Sequence, residues 1–419
     1  MAKLRKRAVK LFYCGSKFYV KNLRKAWIGI TDSVARQYLI RGGWSGKYLD
    51  SGLSPADNHL LTIRERDGVA WAGPIAGMKC GPLVANGDVV LVTKSPNLPS
   101  PVKGTFEQTE EILGAQFGEE LPIFLEWNKQ AYLRISNQGG AFLPGLVLGG
   151  ASGTGKSMLG NVITKNLLGG RVGKPFRYMA GETTFNSDLC GAELLLLDDV
   201  PDRMKFEKLE LVRAELKRML ADPTDSLHRK GADAITVPVV RALLVCVNEE
   251  PHNLKFLPLD DSSMDDKLIL LRVKERPKCL PYDYEGQIKL EQTLRAELPH
   301  FLHFLLNVFK MPKAMQWRRG QPCFRDQSLT MIAHEEDSVS RVMWLIGELD
   351  GLPADALSAP KLEKFLIEAK GHEEVQRLIG RRSLGHVLRE ASKRYPRQVI
   401  SEGTEHGGMT KWRIERGVS

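Results

Sequence analysis

The sequence predicts an α/β fold organised on a parallel sheet, and three observations predict it. From Leu146 onward, short apolar runs alternate with helical stretches, the pattern of buried strands joined by helical crossovers. Four of the runs read as strands: GLVLGG (145–150), FRYMA (176–180), LLLLDD (194–199) and LLVCVN (243–248). The first of them leads into a glycine-rich loop and then a helix, which is how a strand meets a phosphate in such folds.

The flanking elements follow in order. Residues 1–104 hold the strand-like runs KLFYCG, KFYVK and AWIGIT, with a helix after the cap Thr31-Asp32-Ser33. SPNLPSPVKG, Ser95 to Gly104, reads as a linker. Helical periodicity runs from Phe106 to Leu133 and resumes after Pro281 through Leu305. Between the last two core strands, Phe206, Leu209, Val212, Leu216 and Met219 lie on one helix face. From about Ala354 the pattern is that of a winged helix: helical SLGHVLREASKRY, a strand at Val399-Ile400, the glycine-rich GTEHGGM and a strand KWRIE.

Bulk composition narrows the classes. At 419 residues the chain is long enough for several domains, each with its own core. FLHFLLNVF, Phe301 to Phe309, is half the ~18 apolar residues of a membrane helix, so no membrane association is expected. The start MAKLRKRAVKLFY lacks the apolar centre of a signal peptide. Six cysteines stand singly with no C-x-x-C pair, which argues against structural zinc and fits a reducing cytoplasm. The net charge of +10 is concentrated: residues 1–50 hold twelve Lys or Arg against two Asp, and the rest of the chain sums to zero. A second basic excess runs from Arg377 to Arg416. Such clusters commonly meet nucleic acid phosphates.

Three stretches carry chemistry. GASGTGKS comprises Gly150, Ala151, Ser152, Gly153, Thr154, Gly155, Lys156 and Ser157, and fits G-x-x-x-x-G-K-S. Its glycines let backbone N–H groups surround phosphates, Lys156 reaches the β- and γ-phosphates, and Ser157 can hold magnesium, so ATP and Mg²⁺ are the expected ligands. LLLLDDV follows: Asp198 is the expected metal ligand and Asp199 the residue that orients and deprotonates the attacking water. Asn248 closes the strand LLVCVN, where a polar end can feel the γ-phosphate. Between the last two lies SLHRKGADAITV, read as a β-hairpin arm with Gly231 in the turn. Its His228, Arg229 and Lys230 are the candidate contacts to DNA phosphates.

Loop, acidic pair, helix, basic hairpin and Asn-terminated strand within about 100 residues resemble the superfamily 3 helicases of small DNA viruses. DSLHRKGADAITVPVVRALLVCVNEEP resembles the corresponding region of the papillomavirus replicative helicase, where a basic residue at a hairpin tip grips DNA. FNSDLCGAELLLLDDV and ELPHFLHFLLNVFKMP resemble bacteriophage and plasmid primase–helicase proteins. The resemblance spans Gly104 to Pro312 well and the ends more loosely. It implies an AAA+ fold, a homo-hexameric ring with ATP between subunits, and translocation on single-stranded or forked DNA, usually 3′ to 5′. The family supplies a trans arginine finger some twenty residues after the Asn. Here MDDKLILLRV has Lys267 at that place and Arg272 nearby, and a lysine lacks the planar fork of arginine. The first 100 residues hold no D-x-D of a nucleotidyl-transfer site, so a primase or polymerase would be a separate partner.

The resulting expectation is an AAA+ P-loop core flanked by smaller parts. These are a basic N-terminal domain (1–104), a helical collar (105–140), the ATPase (141–280), a helical extension (281–345) and a winged-helix-like DNA-binding domain (346–419). The expected function is an ATP-dependent DNA helicase of a phage or mobile element in the bacterial cytoplasm. The alternative is an AAA+ initiator or loader that remodels a partner without processive unwinding. A small-molecule kinase would explain the loop but not the hairpin, Asn248 or the winged helix. The chain also lacks the N-K-x-D of a GTPase and the LSGGQ of an ABC-type ATPase.

Overall fold

The structure is a computed structural model and describes residues 9–23, 26–50, 52–198, 200, 204, 206–259, 261–315, 324–347, 349, 351, 355–379, 383–405 and 408–415. The chain forms two compact units. One comprises Met1–Val200, Ala214–Val247 and Asp265–Phe324, and the other comprises Pro201–Arg213, Asn248–Met264 and Arg325–Ser419.

In the first unit, β1 (Leu11–Cys14), β2 (Lys17–Lys21) and β3 (Trp27–Ile30) pair antiparallel, as their alternation requires. Leu11, Phe18 and Val20 point to one face and pack with Ala35 and Leu39 of α1 (Asp32–Arg41) and Leu60 and Ile63 of α2 (Pro55–Arg66). The sequence reading expected α1 but did not see α2. Its start is nevertheless written in the chain, since Ser54 and Asp57 form a reciprocal capping box with Pro55 at the first helical position. A second small sheet has β4 (Trp71–Gly73), β5 (Gly81–Ala85) and β6 (Asp88–Val92) in the order β4-β6-β5. Trp71, Ile75, Val90 and Val92 share one apolar core with Phe117, Trp127, Leu146 and Leu196, so these strands are continuous with the central packing. The SPNLPSPVKG segment is irregular, and α3 (Glu107–Phe117) and α4 (Leu121–Ser136) follow it.

The central strands are β7 (Gly145–Gly150), β8 (Val172–Gly173), β9 (Leu194–Leu197), the hairpin pair β10 (Thr224–Leu227) and β11 (Ile235–Pro238), β12 (Ala242–Asn248) and β13 (Leu268–Arg272). Five of them make one sheet in the order β13-β7-β12-β9-β8, with β13–β7, β12–β9 and β9–β8 parallel. The expected strand FRYMA is instead a helical turn, Phe176–Met179, and β8 takes the sheet edge just before it. Pro175 explains the difference: its fixed φ suits the first turn of a helix, and it has no N–H to give a ladder. The amphipathic helix expected between β9 and β10 is α5 (Phe206–Ala221), with Leu209, Val212, Leu216 and Met219 buried. After β13 comes α6 (Tyr284–Asn307).

The second unit contains α7 (Gln327–Gly347), β14 (Leu357–Ser358), α8 (Ala359–Lys370), α9 (His372–Ile379), α10 (Leu384–Arg394), β15 (Val399–Glu405) and β16 (Met409–Ile414). Its sheet has the order β14-β16-β15 and is antiparallel. Val342, Leu366, Leu388, Val399 and Trp412 form its core. His406 and Gly407 of the glycine-rich stretch lie outside the described residues. Among the described residues no helix is long and apolar enough to cross a membrane.

Candidate nucleotide site and basic hairpin

Every residue of β7 is buried, and the strand delivers the glycine-rich loop at its carboxyl end. Gly153 (φ 78°) and Gly155 (φ 95°) take the left-handed conformation that the loop needs. At Gly155 a side chain would also collide, because a Cβ would sit 2.8 Å from Gln116 Nε2 and 3.1 Å from Leu280. Lys156 is only 6% exposed, and its ammonium donates to the carbonyls of Gly150 (2.9 Å) and Ala151 (2.7 Å). The loop is therefore curled around its own cation.

The acidic strand end meets the same loop. Ser157 Oγ donates to Asp198 Oδ1 at 3.0 Å, joining residues 41 positions apart in sequence. Asp198 is half-buried just beyond β9. Asp199 lies outside the described residues. A hydroxyl and a carboxylate side by side are hard oxygen donors, and this donor set fits a magnesium ion. Asn248 is the last residue of β12, the strand between β7 and β9 in the sheet.

Two residues that the sequence reading missed hold the loop. Gln116, fully buried at the end of α3, donates from Nε2 to Thr154 O at 2.6 Å, while its Oε1 is buried without a hydrogen-bond partner among the described residues. Arg276 donates to Gly153 O (3.0 Å), Leu280 O (3.0 Å) and Pro281 O (2.9 Å), with its guanidinium 4.1 Å from the Tyr282 ring centre. Neither lies in a recognisable motif, so only the fold brings them to the loop. Beside them is a cavity of about 290 Å³ walled by Gly155, Met158, Val162, Leu280, Leu290 and Leu294.

The two finger candidates separate along β13. Arg272 is in register with Gly149, next to the loop, whereas Lys267 precedes the strand's other end, where its carbonyl accepts from Gly145 N–H at 2.8 Å. The ammonium of Lys267 pairs with Asp266 at 3.1 Å.

The hairpin has the expected β10–β11 pairing, Thr224↔Pro238 through Leu227↔Ile235, and Gly231 (φ 75°) supplies the turn. The three basic residues at its tip have different surroundings. His228 N–H donates to Asn186 Oδ1 at 2.8 Å, and the imidazole sits 5.1 Å from the Phe185 ring. Arg229 lies over Trp71 at 5.2 Å with Nη2 3.9 Å from Cys14 Sγ. Lys230 is exposed. At the hairpin base, the buried Asp225 is clasped by Arg241 (2.9 Å) and Arg218 (3.1 Å).

Residues 148–266 match a protein family of unknown function, DUF5906. No curated protein matches the chain. Two apo structures of the NrS-1 C-terminal region share its fold. One has a TM-score of 0.52 over 98% of this chain and 97% of that one, the other 0.53 over 98% and 96%, each at 14% identity. The SCCmec type IV Cch active helicase aligns more distantly, with a TM-score of 0.32, 11% identity and coverage of 90% of this chain and 70% of that one. The chain, a mixed α/β protein with a five-stranded parallel sheet, is thus similar in fold to the NrS-1 C-terminal region.

Proposed function

We propose that the chain is an ATP-dependent DNA helicase of a phage or related mobile element, built on an AAA+ core of superfamily 3 type. The observation that carries the reading is the Ser157–Asp198 contact, which brings the phosphate loop and the acidic strand end into one site. In this reading the Lys156 ammonium leaves its own carbonyls for the β- and γ-phosphate oxygens, a charge-assisted exchange. Ser157 and Asp198 would hold magnesium, which neutralises phosphate charge when bound. Asp199 orients and deprotonates the attacking water, and Asn248 senses the γ-phosphate. The cavity at Met158, Val162 and Leu290 has the apolar walls to seat the base.

The chain would work as a hexameric ring in the bacterial cytoplasm, with ATP between subunits and Lys230 facing the DNA. Residues 346–419 would act as a winged-helix DNA-binding domain, and a separate primase or polymerase would start synthesis. Lys267, at the far end of β13 from its own loop, is our choice of trans finger over Arg272, which lies in register with that loop. Mixing Lys267→Ala with Lys156→Ala protein then restores some ATPase at hybrid interfaces. If Arg272→Ala protein complements while Lys267→Ala protein is active alone, the finger is Arg272.

A loader that binds DNA and nucleotide without unwinding is the second reading. It is favoured by one observation, that the Arg229 guanidinium and the His228 ring are engaged within the chain and leave Lys230 as the exposed cation of the tip. Strand displacement on a forked duplex separates the two. ATP-dependent displacement that disappears in Lys156→Ala supports the helicase, and DNA-stimulated ATPase without displacement supports the loader.

A further inference from the structure

We propose that the N-terminal sheet carries a second single-stranded DNA contact, formed by Lys10, Lys21 and Trp27. The register sets the row. Leu11 faces Val20 and Lys21 faces Trp27, so Lys10, one residue before Leu11, faces Lys21. The three side chains therefore stand abreast on one side of the sheet, the side opposite Leu11, Phe18 and Val20. Two like charges directly opposite each other on paired strands are destabilising unless an anion lies between them.

The surroundings describe that anion. A groove of about 510 Å³ is lined by Lys10, Lys21, Trp27, Cys80 and Pro82. Both lysines are exposed and lie over rings, Lys10 at 5.1 Å from Phe12 and Lys21 at 6.0 Å from Trp27, so apolar surface borders the charge. Trp27 is buried to 6% exposure, yet its Nε1 has no hydrogen-bond partner among the described residues. That N–H is itself buried, so the ring meets the groove as apolar surface beside the two ammonium groups. A phosphodiester chain meets these demands: it repeats anionic acceptors along its length and offers base or sugar surface to the rings. The whole positive balance of the protein lies in residues 1–50, where this row sits. The choice of DNA rests on the helicase reading, whereas the groove itself does not.

The test uses the full chain without nucleotide and a fluorescent oligo(dT), titrated at salt concentrations from about 50 to 200 mM. Lys10→Gln/Lys21→Gln should lower the slope of log K against log salt by about 1.4, at ~0.7 per single-strand phosphate contact. Affinity at the lowest salt should fall by roughly one to two orders of magnitude. Lys10→Arg/Lys21→Arg should restore both. Trp27→Phe, which keeps an aromatic ring at the groove wall, should leave the slope alone and weaken binding by no more than about threefold. DNA-independent ATPase should be unchanged in all three variants. Relief of the like-charge pair should hold or slightly raise the melting temperature of the Gln variant, which a structural role for the lysines would not do. An unchanged slope in a Gln variant of a parent that binds oligo(dT) overturns the groove and leaves the helicase reading standing. No oligo(dT) binding by the parent overturns both. Equal loss of duplex and oligo(dT) affinity overturns the assignment to a single strand.

Discussion

The glycine-rich loop and the hairpin tip each place a lysine beside a left-handed glycine, Lys156 after Gly155 and Lys230 before Gly231. The first lysine is buried and bonded to carbonyls five and six residues away, the second exposed. The supports differ in range as well. The glycine-rich loop takes its curl from its own glycines and a buried strand and is only braced from afar, by Gln116 and Arg276 at 38 and 123 positions, whereas His228 is held by Asn186, 42 positions away, and Arg229 reaches Cys14, 215 positions away. A site whose curl comes from backbone and neighbouring residues needs only a few long-range bonds to steady it. A site made from side chains at long range depends on the whole fold.

The variants that test this contrast range from drastic to slight. Lys156→Ala should abolish ATP turnover, a loss of at least about a hundredfold, because the charge facing the phosphates is removed. A near-parental rate would place the active site elsewhere. Next come the carboxylates. Asp199→Asn should keep nucleotide affinity while hydrolysis collapses. Asp198→Asn should weaken magnesium-dependent nucleotide binding as well, because the partner of Ser157 is altered. Identical binding defects in the two variants, measured by calorimetry, would show that the roles are wrongly divided.

The tip should respond less, and unevenly. Lys230→Ala should reduce DNA-stimulated ATPase several-fold with basal ATPase near normal, and lower the salt slope of DNA binding by about 0.7 for each phosphate left without its lysine. Arg229→Ala should instead act on stability, costing about 0.5–2 kcal/mol because the guanidinium no longer covers the Trp71 ring. If Arg229→Ala matches Lys230→Ala in DNA binding and melts like the parent, the two tip residues share one role and the contrast fails. The smallest effect belongs to Gln116→Ala. Without its bond to Thr154 O the protein should be about 1 kcal/mol less stable, and KM for ATP should rise several-fold with little change in kcat. A KM equal to that of the parent would mean that the loop holds its shape without α3.

Legibility in the sequence followed the same division. The strands β7, β9 and β12 were visible because strands buried on both faces must be continuous apolar runs. Periodicity likewise revealed α5, whose Leu209, Val212, Leu216 and Met219 are buried. α2 was missed because its signal is a cap, Ser54 with Asp57, more than a stripe. FRYMA was misread because its apolar run looks like a strand, and the proline before it decides for a helical turn. Arg276 and Gln116 were invisible because neither sits in a pattern. Their partners, Gly153 and Thr154, lie 123 and 38 positions away.

By itself, then, the sequence determined the α/β core, the glycine-rich loop and the acidic strand end expected to work with it, because backbone freedom at glycines and burial of apolar runs are local constraints. The tertiary structure alone decided that Ser157 touches Asp198, that Gln116 and Arg276 brace the loop, that Arg229 turns onto Trp71 while Lys230 stays exposed, and that Lys10, Lys21 and Trp27 stand in one row. Side-chain partners are chosen by which surfaces the closed fold brings within a few ångströms, and spacing along the chain carries no record of that distance.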